Sequence, residues 1–342
     1  MAVLVTGGAG YIGSHMLLAL QAAGEKAVAL DDLSTGMRWL CPAGVPFVQA
    51  DAGDRDAVAK VIRDHEITEI IHFAGSILVS QSLKDPLDYY RNNTLTTLNL
   101  IEAALKNGVE RFIFSSTAAL YGTPERIPIS ENAPMRSLTP YGASMAMSER
   151  ILEDAASAHG LSHIKLRYFN VTGADPLVRA GQIGKPTHLI KVAAQIAVGT
   201  RQEALQIFGA DYPTPDGTAI RDFIHVSDLA DAHLSAMEYL RDKGTSATLN
   251  CGYGRGYSVY EVLDAVERVC GCKIPREIVE RRAGDSAQLI ADSAAIRTTL
   301  DWRPRYDDID FMIKTAIDWE THLQHTDEST GKPLGSNKAH PS

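Results

Sequence analysis

The first thirteen residues constrain this chain more than any other stretch. A short apolar run, Ala2-Val3-Leu4-Val5, breaks into Thr6-Gly7-Gly8-Ala9-Gly10-Tyr11-Ile12-Gly13 and passes directly into a helical pattern. Strand, glycine turn and helix together supply what a dinucleotide pyrophosphate needs: a tight turn, backbone N–H groups with no side chain in front of them, and a helix N-terminus with partial positive charge. Gly8, Gly10 and Gly13 fit G-x-G-x-x-G, and Gly7, Gly10 and Gly13 fit a wider spacing. The glycines alone are a weak signal, and the plainer alternative is a glycine-rich turn without a ligand. The context favours the ligand. Lys26-Ala27-Val28-Ala29-Leu30 reads as a second strand ending in Asp31, eighteen residues past Gly13, with Asp32 beside it. A carboxylate there accepts both ribose hydroxyls and repels a 2′-phosphate, so the expected cofactor is NAD and not NADP.

Composition excludes several classes. The chain has 342 residues, 45% hydrophobic and 22% charged, which is ordinary globular usage and enough for a large core in one or two domains. A net charge of −9 argues against nucleic-acid or anionic-membrane partners, so any phosphate site must be local. No run approaches the roughly eighteen apolar residues of a membrane span, and no basic-plus-apolar leader precedes the first strand, so a cytoplasmic location is expected. Cys41, Cys251, Cys270 and Cys272 are too few and scattered for a disulfide framework. Cys270-Gly271-Cys272 alone has the look of a metal or redox fragment, but with no second pair it reads as a turn, and no metal is expected.

Alternation continues along the chain. Phe47–Asp51, Ile70–Gly75 and Arg111–Phe114 read as further strands, and 54–66 and 86–106 as helices. His72 reads as a satisfied core residue. The fifth strand delivers Ser115-Ser116-Thr117 to its carboxyl end, where ligands of open parallel sheets sit. Pro140-Tyr141 opens another helix, ending near His159-Gly160, and Ile164–Asn170 reads as a sixth strand. The expected fold class is therefore α/β: a doubly wound parallel sheet of Rossmann type over 1–170. A smaller, loop-rich substrate domain is expected over 171–325, with some segments returning to the first domain, and a polar, disordered tail over 326–342.

Thr117, Ser116 and Tyr141 form the candidate catalytic set. With the glycine loop they resemble the extended short-chain dehydrogenase/reductase superfamily, and within it the UDP-glucose (UDP-galactose) 4-epimerase family. The resemblance runs from Val3 to about Trp319. It is carried by Thr6–His15, His72–Gly75, Tyr89–Asn93, Ser115–Thr117, Leu166–Asn170, Phe208–Thr214, Arg221–Val226 and Arg281–Asp285. It implies that Tyr11, Ile12, Asp31, Asp51, Ala52, Phe73, Ala74, Gly75, Asn92 and Phe169 contact NAD, with Asp32, Ser115, Tyr141 and Met145 in the same crevice. It implies that Asn170, His188, Leu189, Gln206, Ile207, Phe208, Arg221, Arg282 and Asp285 hold a UDP-sugar. Two guanidinium forks on a diphosphate are chemically sensible in an acidic protein. The implied reaction sends a hydride out and brings it back. Tyr141 as phenolate takes the 4′-hydroxyl proton, Thr117 hydrogen-bonds the same oxygen, and a tethered 4-keto sugar turns over. The family also implies a homodimer through the helices at 86–106 and 141–159.

The chain departs from the family at one chemical position. The family pattern is Tyr-x-x-x-Lys, and here Met145 follows Tyr141 by four residues, on the same helical face. A free tyrosine titrates near 10, so about one phenol in a thousand is ionised at pH 7, and a thioether does nothing to change that. Ile77 likewise stands where many relatives place a lysine. Two functions of different class follow: a UDP-hexose 4-epimerase of reduced activity, or a catalytically silent homologue that binds NAD and UDP-sugar. Epimerisation of a UDP-pentose, UDP-uronate or N-acetylated sugar is a third option, with Leu289 at the position linked to sugar size.

Overall fold

In the computed structural model, residues 2–184, 188–332 and 334 are described. The strands β1 (Ala2–Thr6), β2 (Ala27–Asp31), β3 (Phe47–Gln49), β4 (Ile67–His72), β5 (Arg111–Thr117) and β6 (Ser162–Tyr168) alternate with helices. Those helices are α1 (Tyr11–Ala22), α2 (Arg55–Asp64), α3 (Val79–Ser82), α4 (Pro86–Tyr89), α5 (Thr96–Lys106) and α6 (Pro140–His159). The C-terminal half continues with β7 (Asn170–Thr172), α7 (Leu189–Ala197), β8 (Leu205–Phe208), β9 (Ile220–His225), α8 (Val226–Lys243) and β10 (Ala247–Cys251). It closes with β11 (Gly256–Ser258), α9 (Val259–Cys270), β12 (Arg276–Val279), β13 (Gln288–Leu289), α10 (Ala294–Leu300) and α11 (Ile309–Gln324).

Seven strands form one parallel sheet in the order β10-β6-β5-β4-β1-β2-β3. Both faces are covered, and the alternation in β1 shows how. Val3 and Val5 join the apolar cluster containing Met16, Leu17 and Leu20 of α1 and Leu229 and Met237 of α8. Leu4 joins the opposite cluster with Val58 of α2, Leu100 of α5 and Leu152 of α6. Burial on two faces is why these strands read as continuous apolar runs. The strand order reverses between β1 and β4, so the crevice at their carboxyl ends is the natural ligand site. Smaller sheets, β11-β9-β13 with β7 on β9 and β12 with β8, stand beside it.

The structure departs from local expectation in three places. The helix expected over 86–106 is α4, a π-helical stretch at Tyr90–Leu95, and α5. In the wide turn the buried Asn93 amide donates to the Ser76 carbonyl and to Ser144 Oγ, both at 3.0 Å. Beyond Val171 the chain is less loop-built than its composition suggests. The 18-residue α8 packs on α1, and β10 pairs with β6 in the main sheet, a return of the kind expected for some segments of this half. The beginning of the tail expected to be disordered is packed: Thr326 is buried, and the Glu328 carbonyl accepts the Trp39 indole N–H at 2.7 Å. Residue 333 and residues 335–342 lie outside the described residues.

Candidate active site

The glycine loop follows from sterics. Gly7 has φ +68°, and a Cβ there would stand 2.8 Å from the Ala74 backbone nitrogen; at Gly13 a Cβ would stand 2.1 Å from the Gly7 carbonyl oxygen. β1 and α1 therefore approach each other as no side chain would allow. Gly10 caps α1 without a side-chain hydrogen bond, which leaves the first-turn N–H groups of Tyr11, Ile12 and Gly13 facing the crevice. Asp31 is buried at the end of β2, accepting from the Ala9 N–H at 2.9 Å and the Leu33 N–H at 2.8 Å. Burial raises its carboxyl, and those two backbone donors oppose the shift. An uncapped helix start, an obligatory glycine approach and a clamped carboxylate fit a dinucleotide's pyrophosphate and ribose.

Around this floor, Asp51 accepts from the Gly53 N–H at 2.7 Å, and Ala52 is buried. Asp32 accepts from the Ser34 N–H at 2.8 Å, and the Tyr11 hydroxyl donates to the Gly173 carbonyl at 2.6 Å. Phe73, Ala74 and Gly75 form the exit of β4, against which Gly7 lies. Asn92 donates to Ser76 Oγ at 2.7 Å, and Phe169 is buried in a cluster with Tyr121 and, at its margin, Leu289.

β5 and α6 carry the candidate hydroxyls. Thr139 caps α6, its Oγ1 accepting from the Gly142 N–H at 3.3 Å, and Pro140 takes the first helical position, which sets Tyr141 in the first turn. Burial pushes the Tyr141 phenol above its ordinary value, a hydrogen bond from Thr117 works the other way, and Tyr89 adds a small upward push. Ser115 lies on the same side of β5 as Thr117, and the buried Tyr168 hydroxyl pairs with His233 Nε2 at 3.1 Å. Ser116, named with Thr117 as a catalytic hydroxyl, is turned away. Side chains alternate along a strand, so Ser116 points into the core, where its Oγ donates to Glu149 Oε1 at 2.5 Å. Glu149 also receives Arg167 at 2.6 Å, and Arg167 donates to the Tyr121 hydroxyl at 2.9 Å. Ser116 belongs to this buried network, and Thr117 lies on the other face of β5.

The C-terminal half supplies the opposite wall. The segment carrying Arg282 and Asp285 crosses the start of α6: a Cβ at Gly284 would stand 2.6 Å from the Thr139 methyl. Arg282 pairs with Asp285 at 3.0 Å and lies over the Phe208 ring, 5.1 Å from its centroid. Arg221 is held by the Ile220 carbonyl at 2.9 Å, and burial lowers its guanidinium. His188, just before Leu189 opens α7, is lowered to about 4, first by burial and then by Arg282 and Lys191, so it is neutral at pH 7. Gln206 and Phe208 face outward from β8, whereas the Ile207 side chain is 1% exposed in the core. Its expected ligand contact is therefore limited to backbone. Asn170 sits in β7, paired with Phe223.

The chain matches the NAD dependent epimerase/dehydratase family over residues 3–252. It belongs to that family. The UDP-glucose 4-epimerase of Azospirillum brasilense is 53% identical over 335 residues, covering 98% of this chain and 96% of the relative. The Stenotrophomonas maltophila UDP-glucose-4-epimerase, solved with NAD and formylated UDP-arabinopyranose, superposes with a TM-score of 0.91 at 39% identity, covering 95% of this chain and 99% of that one. The Brucella ovis UDP-glucose 4-epimerase, solved with NAD, gives 0.89 at 40% identity over 93% of this chain and 97% of that one.

Met145 stands one turn of α6 after Tyr141. It packs, partly buried, on the apolar cluster that includes Phe112 and Leu152. Ile77 is 56% exposed, two residues before α3 begins. Two positioning residues escaped the sequence reading. Asn93 ties the Ser76 turn to α6, and Glu149 ties β5 to α6; both are polar residues at apolar-facing positions, the one signal that points to them.

Proposed function

We propose that this chain interconverts UDP-galactose and UDP-glucose with NAD, and that Met145 makes it a slow member of its family. The reading rests on one observation above the rest: Thr117 at the carboxyl end of β5 acts on the buried Tyr141 phenol in the first turn of α6, beside the Thr139 cap that the Arg282–Asp285 segment crosses. NAD, when bound, supplies the hydride acceptor and donor. Gly7, Gly10, Tyr11, Ile12, Gly13 and Asp31 hold it, with Asp51, Ala52, Phe73, Ala74, Gly75, Asn92 and Ser115 along its length.

Arg221, Arg282 and neutral His188 hold the diphosphate, and Phe208, Gln206 and Leu189 support the nucleotide. Arg282 exchanges part of its Asp285 pairing for the phosphates. Thr117 donates to the sugar 4′-oxygen, and the Tyr141 phenol oxygen takes that hydroxyl's proton and returns it. Tethering by UDP allows the 4-keto sugar to present either face without leaving. The test is chromatography of UDP-galactose incubated with the purified chain. UDP-glucose should accumulate, and none at any enzyme loading would leave the silent NAD/UDP-sugar binder as the surviving function.

We further propose a cytoplasmic homodimer. No helix among the described residues is long and apolar enough to cross a membrane. Leu95 and Leu98, 48% and 39% exposed, lie three residues apart where the π turn runs into α5, and Met147, 49% exposed, lies on the adjoining α6. A second copy would cover them. Sedimentation should give a dimer, and Leu98→Glu a monomer.

A further inference from the structure

Cys270 ends α9, and Cys272 follows a one-residue turn at Gly271, whose φ of 67° closes the helix in the left-handed region. The turn folds the two side chains together. Their Sγ atoms stand 2.8 Å apart, and the Cys272 N–H donates to Cys270 Sγ at 3.4 Å. A disulfide bond is about 2.05 Å long, so the sulfurs need to close by less than an ångström. The turn that must adjust is a glycine with open space around it.

The chain on either side is already fixed. Glu267, one turn before Cys270, accepts from the Ile274 N–H at 3.1 Å, from Lys273 at 2.6 Å and from Arg276 at 3.2 Å. Closing the bond therefore asks little of α9 or β12. Cys272 is exposed and Cys270 half-buried, whereas Cys41 and Cys251 are buried, with thiols pushed up by burial, Cys41 to about 11. The Cys272 thiol is pushed up to about 11, chiefly by its hydrogen bond to Cys270. No third His, Cys, Asp or Glu ligand completes a metal site among the described residues.

We propose that Cys270 and Cys272 are a surface dithiol–disulfide site that exchanges with low-molecular-weight disulfides of the glutathione type. The Cys270 thiolate attacks one sulfur of the oxidised disulfide, forming a mixed disulfide and releasing one small thiol. Cys272, deprotonated, then attacks Cys270 Sγ, closing the intrachain bond and releasing the second thiol. The protein loses two protons and two electrons, and the small disulfide gains them as two thiols.

The full chain is equilibrated in buffers of rising oxidised-to-reduced glutathione ratio, quenched in acid, unfolded, alkylated with iodoacetamide, digested and weighed. The peptide containing residues 270–272 should lose the mass of two hydrogens and take no alkyl group, while Cys41 and Cys251 are alkylated throughout. In Cys272→Ser the remaining Cys270 should instead accumulate one glutathione, an adduct the native chain does not retain. Full alkylation of Cys270 and Cys272 at every ratio, stable glutathione adducts on the native pair, or the absence of an adduct in Cys272→Ser would each overturn the proposal.

Discussion

Met145 lies one turn of α6 after Tyr141 and places a thioether where the phenol would gain from a cation. The influences on that phenol are burial, the Thr117 hydroxyl and Tyr89, and none carries positive charge. Its proton affinity is therefore raised, the opposite of what a general base at neutral pH requires.

The sign of the pH dependence follows. Below its pKa the ionised fraction of an acid grows tenfold per pH unit, so turnover of UDP-galactose should rise about tenfold per unit between about pH 7 and 9. An ammonium about 4 Å away in an effective dielectric near 20 contributes about 4 kcal/mol, or about three pKa units. Met145→Lys should therefore raise the rate at pH 7 by up to about a thousandfold and flatten the profile. Initial rates across that range check both, and a pH-independent rate in the native chain would exclude Tyr141 as the limiting base.

Thr117 and Ser116 are neighbours with opposite expectations. Thr117→Val removes the hydrogen bond that favours the Tyr141 phenolate, worth about 1.5–3 kcal/mol, so kcat should fall about ten- to hundredfold with little change in stability. Ser116→Ala leaves the site intact but removes a donor to buried Glu149 and should cost about 1 kcal/mol in urea unfolding with kcat nearly unchanged.

Gly13→Ala puts a methyl 2.1 Å from the Gly7 carbonyl, so the loop must open. NAD affinity measured by calorimetry should fall at least tenfold, and the Tm should drop by roughly 2 °C for each kcal/mol of strain in a chain this long.

Removing Glu149 leaves Arg167 with its charge buried, and Lys165 nearby at 3.8 Å. Glu149→Ala should destabilise by about 3–5 kcal/mol, read from the urea midpoint.

Acid should unfold the protein earlier than carboxylates alone would dictate. Burial lowers His15, His188 and His233 to about 4 and His72 and His225 to about 3, all below the unfolded value near 6.5. Between those limits the unfolded chain binds more protons, so this contribution is fully present above about pH 6.5 and is lost as pH falls toward 3–4. Each histidine adds up to about 1.4 kcal/mol per pH unit to the slope of urea stability against pH.

Much of this was legible along the chain because it is written in local chemistry. An apolar run ending in glycines, a carboxylate closing the second strand, a proline opening α6 and the four-residue step from Tyr141 to Met145 each depend on neighbours within a turn or two. Periodicity and sterics express such relations directly. Tertiary structure decided relations between residues distant in sequence. Parity in β5 assigned Ser116 to the core and Thr117 to the other face only once the Glu149–Arg167 network showed which face was buried. Packing turned Ile207 inward, brought Gly284 onto Thr139, returned β10 to the first sheet and set Asn93 in a π turn against Ser76. Those outcomes depend on which apolar faces bury one another and which buried polar groups find partners, and a linear pattern does not carry that information.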